Sequence, residues 1–212
     1  MNNEKATSTT LLSPGEETSA QLRALKQDFR SLMNGPVSQT LRKHGLAYKV
    51  IFGVEVPRLK ELSETMPKNH DLAQALWKED IRECRLLAPM LQPVETFWPE
   101  IADIWVDSMR YNEEAEICSL HLFQHLPYAS EAAFAWIASD ATWRQTCGYL
   151  TLARLFMRRM EPNARAAEEF LDQAEAALRS SQISIAHAAM NALNKFADLG
   201  EQQSFRVDKI LG

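Results

Sequence analysis

Three carboxylates in a short run are the first residues of this chain that could do chemistry. Glu113, Glu114 and Glu116 follow Asn112, which is a good residue to cap a helix. A carboxylate placed beside a substrate can stabilise a positive charge that develops during a reaction. Acids in the first turn of a helix also complement the helix dipole, so this position explains all three without catalysis.

Three metal-type side chains follow in the same predicted helix. Cys118, His121 and His125 are spaced i, i+3 and i+7, which places them on one helix face. Zinc sites usually close with ligands from a second element, and no suitably spaced partner is apparent. We therefore interpret them as a buried cysteine and two half-exposed histidines at a helix–helix contact, and we predict no metal site. Without a Walker loop, dinucleotide-binding glycines or a nucleophile elbow, no cofactor is expected.

Basic residues are concentrated in two segments, although the net charge of the chain is −5. Residues 20–50 hold six lysines and arginines against one acid, and residues 142–160 hold four arginines and no acid. Two such segments could form a local phosphate-binding face, although solvated helix faces have the same composition. Arg158 and Arg159 lie in the last turn of a predicted helix, where cations also favour the helix dipole.

Length and composition favour a soluble helical protein. The chain has 212 residues, 46% of them hydrophobic, and only 7 glycines. No apolar run is long enough to cross a membrane, and the N-terminus lacks the basic and apolar blocks of a secretory signal. The odd number of cysteines, 3, then suggests reduced thiols, and we expect a cytoplasmic protein without membrane association.

Breaker residues divide the chain into about eleven short predicted helices. Gly45 and Gly200 should end two of them. Residues 49–57 are β-branched and aromatic, but an extended connector is expected because no second strand is available. We predict a flexible tail over residues 1–18 and a single domain over 19–212. The predicted helices are 19–34, 37–44, 57–66, 71–77, 81–91, 99–109, 112–125, 130–139, 142–159, 164–179 and 183–199.

A weak internal repeat predicts how these helices stack. Two similar stretches begin at Ile101 and Phe134, 33 positions apart, and each has the pattern of a helix, a short turn and a helix. A helix pair with this period cannot bury its own apolar face, so the repeat predicts an α-solenoid. Tryptophans at helical spacing are then better interpreted as core fillers than as base-stacking residues. They are Trp77, Trp98, Trp105, Trp136 and Trp143.

The segment from Phe52 to Leu91 carries a recognisable pattern. It contains Phe52-Gly53-Val54-x-x-Pro57-x-Leu59, then Asp71-Leu72-Ala73 with Leu76-Trp77, then Glu83-x-Arg85-Leu86-Leu87-Ala88. This pattern resembles the DNA alkylation repair family, the HEAT-like repeat alkylpurine DNA glycosylases and their non-catalytic relatives. The resemblance implies an all-α, C-shaped solenoid of about five to six stacked antiparallel helix pairs. It also implies a concave, basic face that holds duplex DNA.

The same resemblance suggests site residues. Glu116 falls on the family's catalytic aspartate, where a carboxylate stabilises the sugar cation formed as the N-glycosidic bond breaks. Asn112 falls on a tryptophan, and Asn191 or Asn194 on another; an asparagine has no π face to hold a cationic base. The family's Trp-x-Arg-Arg pattern aligns with the segment that begins at Thr142, where Arg144 matches one of the two arginines.

We therefore predict a protein that binds double-stranded DNA in a basic concave groove, with or without N-glycosylase activity on alkylated purines. If that activity is retained, Glu116 is the catalytic residue. We expect a monomer. The alternative is a non-catalytic helical-repeat scaffold that binds a protein partner or structured DNA. The residues predicted to contact nucleic acid are Arg110, Asn112, Arg144, Arg154 and Arg158.

Overall fold

In the computed structural model, which describes residues 13–212, α-helices follow one another without a β-strand. Short 3₁₀ turns cover Val94–Thr96 and Phe123–His125. The predicted all-α class is therefore confirmed over this range. The helices are α1 (Pro14–Ser31), α2 (Gly35–Lys43), α3 (Val56–Glu64), α4 (His70–Trp77), α5 (Arg82–Leu91), α6 (Pro99–Asp107), α7 (Asn112–His121), α8 (Ala129–Ile137), α9 (Thr142–Met157), α10 (Ala164–Leu178), α11 (Ile183–Ala197) and α12 (Glu201–Leu211).

The first helix begins earlier than predicted. It starts at Pro14 rather than Ser19, because Glu16 accepts hydrogen bonds from the backbone N–H and the Oγ of Ser13, at 2.9 and 2.8 Å. These bonds hold the pKa of Glu16 below its ordinary value, the backbone bond contributing most. Residues 13–18 thus do not form the predicted tail, and the rest of that tail, residues 1–12, lies outside the described residues.

The last helix was not predicted. Helix α11 ends at Ala197, with Asp198 as its C-cap, before the predicted end at Leu199 and Gly200. Gly200 is instead the N-cap of α12, through which the chain continues. Val207 on α12 is only 2% exposed, and Ile210 packs partly buried against the core. An 11-residue helix is marginal on its own, so this packing against α11 stabilises it.

Alternate helices form a continuous row. In it α3 contacts α5, α5 contacts α7, α7 contacts α9, and α9 contacts α11. Helices α4, α8 and α10 each pack on the next member of the row, and buried apolar residues extend from Leu25 to Val207. Each helix pair therefore buries its apolar face against its neighbours, as expected of a solenoid. None of the helices described between residues 13 and 212 is long and apolar enough to cross a membrane.

Tryptophan hydrogen bonds reproduce the repeat. The indole N–H of Trp105 donates to Oε1 of Gln74 at 3.1 Å, which joins α6 to α4. One repeat later the indole N–H of Trp136 donates to Oδ1 of Asp103 at 2.8 Å, which joins α8 to α6. Both rings are buried, and each side chain therefore fills the core while its polar atom is satisfied.

The interpretation of the tryptophans as core fillers is confirmed for three of them and wrong for one. Trp77 stacks on Trp105 with ring centroids 4.2 Å apart, and Trp136 is buried as well. Trp143 is half-buried against the core. Trp98, however, is 61% exposed, because it precedes α6 as its N-cap instead of lying on a packed helix face.

The Phe52–Leu91 segment is held together by a buried carboxylate. Glu83 on α5 accepts hydrogen bonds from the backbone N–H groups of Phe52, Gly53 and Val54, at 3.1, 2.9 and 3.3 Å. This part of the connector is extended as predicted, and its one bridge pairs Val50 with Ile81. The carboxylate of Glu83 thus accepts from backbone N–H groups that have no neighbouring strand to bond to in the described part of the chain.

Gly53 is required by this geometry. Its φ of 81° lies in the left-handed region, and a Cβ there would stand 2.8 Å from the backbone nitrogen of Ser38. It would also clash with the carbonyl oxygen of Asn34, which itself accepts from Ser38 N–H. The pattern that carries the family resemblance is thus a structural connection between α2, the connector and α5.

Candidate nucleic-acid interface

The first two acids of α7 are bound to the neighbouring helix. Arg82 of α5 donates through Nε to both oxygens of Glu113, at 3.1 and 3.0 Å. Arg85, one turn later, donates through Nε to Oε1 of Glu114 at 2.6 Å. Glu114 is completely buried. These acids are structural, as expected, but ion pairs between helices hold them, which the sequence did not reveal.

Glu114 is the centre of a buried polar network. The hydroxyl of Tyr48 donates to its Oε1 at 2.9 Å, and the backbone N–H of Arg110 donates to its Oε2 at 2.8 Å. The guanidinium of Arg85 also lies 4.0 Å over the ring of Trp77. Burial, followed by the charge of Glu114, raises the pKa of Tyr48 far above its ordinary value, so the phenol stays a donor.

Glu116 differs from its two neighbours. It is exposed and forms no ion pair with any residue between 13 and 212. Its one side-chain partner is Asn112, whose Nδ2 donates to Oε1 at 2.6 Å. Asn112 is therefore not the predicted cap: α7 begins at this residue, Tyr111 stands in the N-cap position, and the amide is used to hold Glu116.

Glu116 opens onto a cavity of about 420 Å³ on the solvent side of α7, α9 and α11. We call it the row cavity. Asn112, Glu116 and Asn191 all line it, so it brings together three positions that the resemblance suggested. Asn194, the alternative to Asn191, is not among the lining residues. Its lining includes one aromatic ring, the imidazole of His187, and among the described residues no tryptophan, tyrosine or phenylalanine. The lining residues are Asn112, Glu116, Leu150, Ile183, Ser184, His187, Ala188 and Asn191.

Two of the predicted arginines follow Leu150, a lining residue of this cavity, along the chain, although neither lines the cavity itself. Arg154 follows Leu150 by four residues, so both project from the same side of α9. Arg158 is one further turn along, is exposed, and donates to the carbonyl oxygen of Gln124 at 2.5 Å. Neither guanidinium forms an ion pair with an acid in the part of the chain that the structure describes. Both remain candidates for binding phosphate.

These arginines belong to a larger group of like charges. The positive charges of Lys60, Lys68 and Arg154 act on His121, and so does that of His125 when its ring is protonated. Arg158 and Lys68 act in the same way on His125. We call the group the basic band; it comes from α3, the α3–α4 loop, α7, the following 3₁₀ turn and α9. Its members are Lys60, Lys68, His121, His125, Arg154 and Arg158.

Both histidines of the basic band have a lower pKa than an ordinary histidine, which favours their neutral form. Burial, followed by the neighbouring cations, lowers the pKa of His121 and that of His125. Cys118, the third member of the predicted metal-type triplet, is buried in the core, and burial raises the pKa of its thiol. Within residues 13–212 no three or more such side chains are grouped to hold a metal ion.

Arg144 and Arg110 lie apart from the row cavity. Nε and Nη2 of Arg144 each donate to Asp107 at 2.7 Å, and Nη1 lies 3.3 Å from Asp103. It lines a different cavity, of about 200 Å³, beside Trp136. Arg110 pairs with Asp80 at 2.5 Å and lies over Tyr48. Neither residue lines the row cavity with Glu116, and both guanidiniums are paired with acids.

Sequence reasoning missed the lysines and histidines of the basic band. Lys60 and Lys68 lie in a stretch with acids on either side, outside the two basic segments, and their positions give no local signal. His121 and His125 were noticed only as metal-type ligands. Helix α3 packs on α5, and α5 packs on α7, and only this tertiary packing brings Lys60 and Lys68 close enough to act on His121.

The comparisons with known proteins agree with this architecture. A solved structure described as a new family of proteins related to the HEAT-like repeat DNA glycosylases, with affinity for branched DNA structures, superimposes with a TM-score of 0.80. Its sequence identity is 17%, and the match covers 89% of this chain and 81% of that chain. The similarity confirms the HEAT-like solenoid. No curated protein sequence matches significantly. A sequence model of the DNA alkylation repair enzyme family matches residues 25–205, and the chain therefore belongs to this family.

Proposed function

We propose that this protein binds DNA on the solvent side of α7 and α9, with the basic band holding phosphates. The observation that carries the proposal is the clustering of four cations and two histidines from several elements. Gathering like charges costs free energy in the isolated protein, and an anion with closely spaced charges offsets that cost. Duplex DNA has this property, with one phosphate charge per ~1.7 Å of helix axis.

Few acids neutralise the basic band. Lys60 lies 3.5 Å from Glu64, but both side chains are largely exposed, so solvent screens that pair. Glu95 acts on Lys68, whose Nζ donates to the carbonyl oxygen of Met90 at 2.5 Å. The arginines have no acidic partner in the described part of the chain. The basic band is therefore available to a ligand, unlike the paired arginines elsewhere.

The expected ligand is double-stranded DNA, including branched forms. Family membership supports DNA, and the affinity of the structural neighbour for branched DNA structures supports junctions. Contacts to phosphates fix the position of a protein on DNA without reading its sequence. We therefore propose binding that depends on DNA shape more than on base sequence.

Salt dependence tests the proposal. The affinity for a labelled duplex and for a labelled four-way junction should fall steeply between 50 and 200 mM salt, because bound phosphates release counterions. The double variant K68Q/R154Q should bind roughly tenfold more weakly and lower the slope of log affinity against log salt by about 2. Arg179→Gln, at an exposed arginine directly after α10, is the control. Absence of salt-dependent binding would contradict the proposal and favour a protein-binding scaffold.

Base excision is a second candidate function. Glu116 is exposed and unpaired in the row cavity, as a carboxylate that stabilises a sugar cation must be. Among the described residues, the cavity is lined by no tryptophan, tyrosine or phenylalanine. The ring faces that hold a cation best are therefore missing, which favours binding over excision. Release of 7-methylguanine or 3-methyladenine from alkylated DNA, abolished by E116Q, would establish excision. Release equal to the spontaneous rate at high protein concentration would exclude it.

A further inference from the structure

The position of Glu116 beside the basic band needs a physical reason. An unpaired carboxylate near bound DNA repels phosphates, so it weakens binding unless it accepts hydrogen bonds from another part of the ligand. In DNA the groups that donate hydrogen bonds are the N–H groups of the bases. A phosphate-binding surface that contains an unpaired carboxylate therefore suggests a base-binding position.

We infer that the row cavity binds an unpaired guanine, with Glu116 as its main recognition residue. This inference rests on the proposed DNA binding. The Watson–Crick edge of guanine carries two adjacent donors, N1–H and the N2 amino group, and the two oxygens of one carboxylate can accept both. Asn112 occupies one acceptor site on Oε1 of Glu116 and thereby fixes the carboxylate. Oε2 and the remaining acceptor site on Oε1 are open to the base.

The other bases fit this carboxylate less well. Thymine has one donor between two acceptors, and the carboxylate repels both of those acceptors. Adenine and cytosine each place an amino donor next to a ring nitrogen that accepts, so only one oxygen of Glu116 finds a donor. Two parallel hydrogen bonds to a charged group are stronger and more selective than one. The chemistry of a single carboxylate therefore favours guanine.

The remaining lining residues complement a base. Leu150 and Ile183 offer apolar surface to a ring face, and Ile183 is 70% exposed at the start of α11. Asn191 can donate from its amide to the O6 atom of guanine, which accepts hydrogen bonds. The cavity thus provides a wall for the ring and polar groups for both kinds of atom on its edge.

The row cavity and the basic band are placed to hold one nucleotide. Arg154 lies one turn along α9 from Leu150, which corresponds to ~5.4 Å along the helix axis. A strand whose base enters the cavity therefore passes its phosphate close to Arg154. The Watson–Crick edge is available only in an unpaired nucleotide, so bulges, single-stranded arms and junctions are the DNA forms expected to use this site.

Duplexes that differ in one unpaired nucleotide test the inference. The probes carry guanine, inosine, adenine, cytosine or thymine as a single bulge, and binding is measured by fluorescence anisotropy at fixed salt. The guanine bulge should bind roughly tenfold more tightly than the thymine bulge, from one bidentate contact. Inosine, which lacks the N2 amino group, should lose a large part of this preference.

Substitution of Glu116 separates recognition from general DNA binding. E116Q should remove the preference for guanine while binding the thymine bulge at least as tightly as the natural protein, because a repelling charge is gone. Glu169→Gln, the same change at an exposed acid of α10, should keep the preference. Salt-dependent binding with equal affinity for all five bulges would overturn the guanine site and leave the proposed function intact. Absence of DNA binding by every probe would overturn both.

Discussion

Acidic side chains of α7 lie in two different environments within a single helical turn. Glu114 is buried, and its oxygens accept from Arg85, Tyr48 and the backbone of Arg110. Glu116, two residues later, is exposed and accepts only from Asn112. The first carboxylate has every partner it needs inside the protein, whereas the second has acceptor capacity left over. In this fold, satisfied charges hold the helices together and unsatisfied ones are available to a ligand.

The arginines show the same contrast. Arg144 is paired with two aspartates, and the hydrogen bonds it donates hold the pKa of Asp107 below its ordinary value. Arg154, ten residues further along α9, has only the sulfur of Met157 as a side-chain hydrogen-bond partner within residues 13–212, at 3.8 Å. Proximity in sequence therefore gives no guide to role. The partners of each guanidinium separate a structural arginine from a candidate phosphate ligand.

The largest expected effect is on the buried network. Arg85→Ala leaves Glu114 buried without its cation and should lower the free energy of unfolding by about 3–5 kcal/mol. Urea denaturation followed by circular dichroism measures it. Arg179→Ala, which removes an exposed arginine paired with Glu175, is the control and should leave stability unchanged. Equal stability of the Arg85 variant and the natural protein would break the distinction between satisfied and unsatisfied charges.

The next largest effect compares two arginines of α9. Arg154→Gln should weaken DNA binding roughly five- to tenfold and reduce its salt slope by about 1. Arg144→Gln should leave DNA affinity unchanged, because its guanidinium is already occupied by Asp103 and Asp107. Titration of a labelled duplex measures both. If both variants lost the same DNA affinity, Arg144 would also contact DNA, and its ion pairs would not distinguish it from Arg154.

A smaller effect is expected where a neutral group joins the buried network. Tyr48→Phe removes one hydrogen bond to Glu114 but leaves Arg85 in place, so the free energy of unfolding should fall by about 1–2 kcal/mol. Thermal denaturation measures the change. DNA affinity measured under the same conditions should not change. A larger loss than that of Arg85→Ala would show that the phenol, not the ion pair, dominates the network.

The smallest effect is the pH dependence of DNA binding. His121 and His125 have pKa values below the usual 6.5 in the free protein, so both are mainly neutral at pH 7. A bound phosphate favours the protonated imidazole, so binding takes up protons, and affinity should rise a few-fold as the pH falls from 7.5 to 5.5. Titration of a labelled duplex across this pH range measures it.

The histidine pair provides its own control. The variant H121Q/H125Q should show a flatter pH dependence than the natural protein. The free energy of unfolding of the free protein should change with pH in the opposite direction to DNA affinity. Both histidines have a lower pKa in the folded protein than in the unfolded chain, so the unfolded chain binds protons more readily, and the free energy of unfolding should decrease as the pH falls below about 6.5. A DNA affinity that falls at low pH would exclude the histidines from the phosphate-binding surface.

Much of the helix pattern could be predicted, because breakers and apolar spacing are local properties. Gly45, for example, has a φ of 93° at the end of α2, as expected of a helix-ending glycine. The helix α12 could not be predicted, since it is stabilised by burying Val207 against α11. The role of Asn112 was mistaken for a similar reason: its amide had two partners within reach, and local sequence does not decide between them.

The candidate site was predicted only in part. Resemblance selected Asn112, Glu116 and either Asn191 or Asn194, and the structure places the first three of these in one cavity. Arg154 follows Leu150, one of its lining residues, along α9, whereas Arg144 lines a different cavity. Their roles in binding DNA remain predictions. Lys68, in contrast, had no signal at all, because a single lysine in a loop gains meaning only from the charges that tertiary packing places around it.

The sequence by itself determined the class of the fold, the approximate helices, the repeat and the family resemblance, since all of these depend on residue types at short spacing. The tertiary structure alone decided which charges are satisfied. It paired Glu113 and Glu114 with arginines from 29 to 31 residues earlier in the chain, and it left Glu116 exposed. Electrostatic interactions depend on distance and burial in space, and the order of residues fixes neither until the helices have packed.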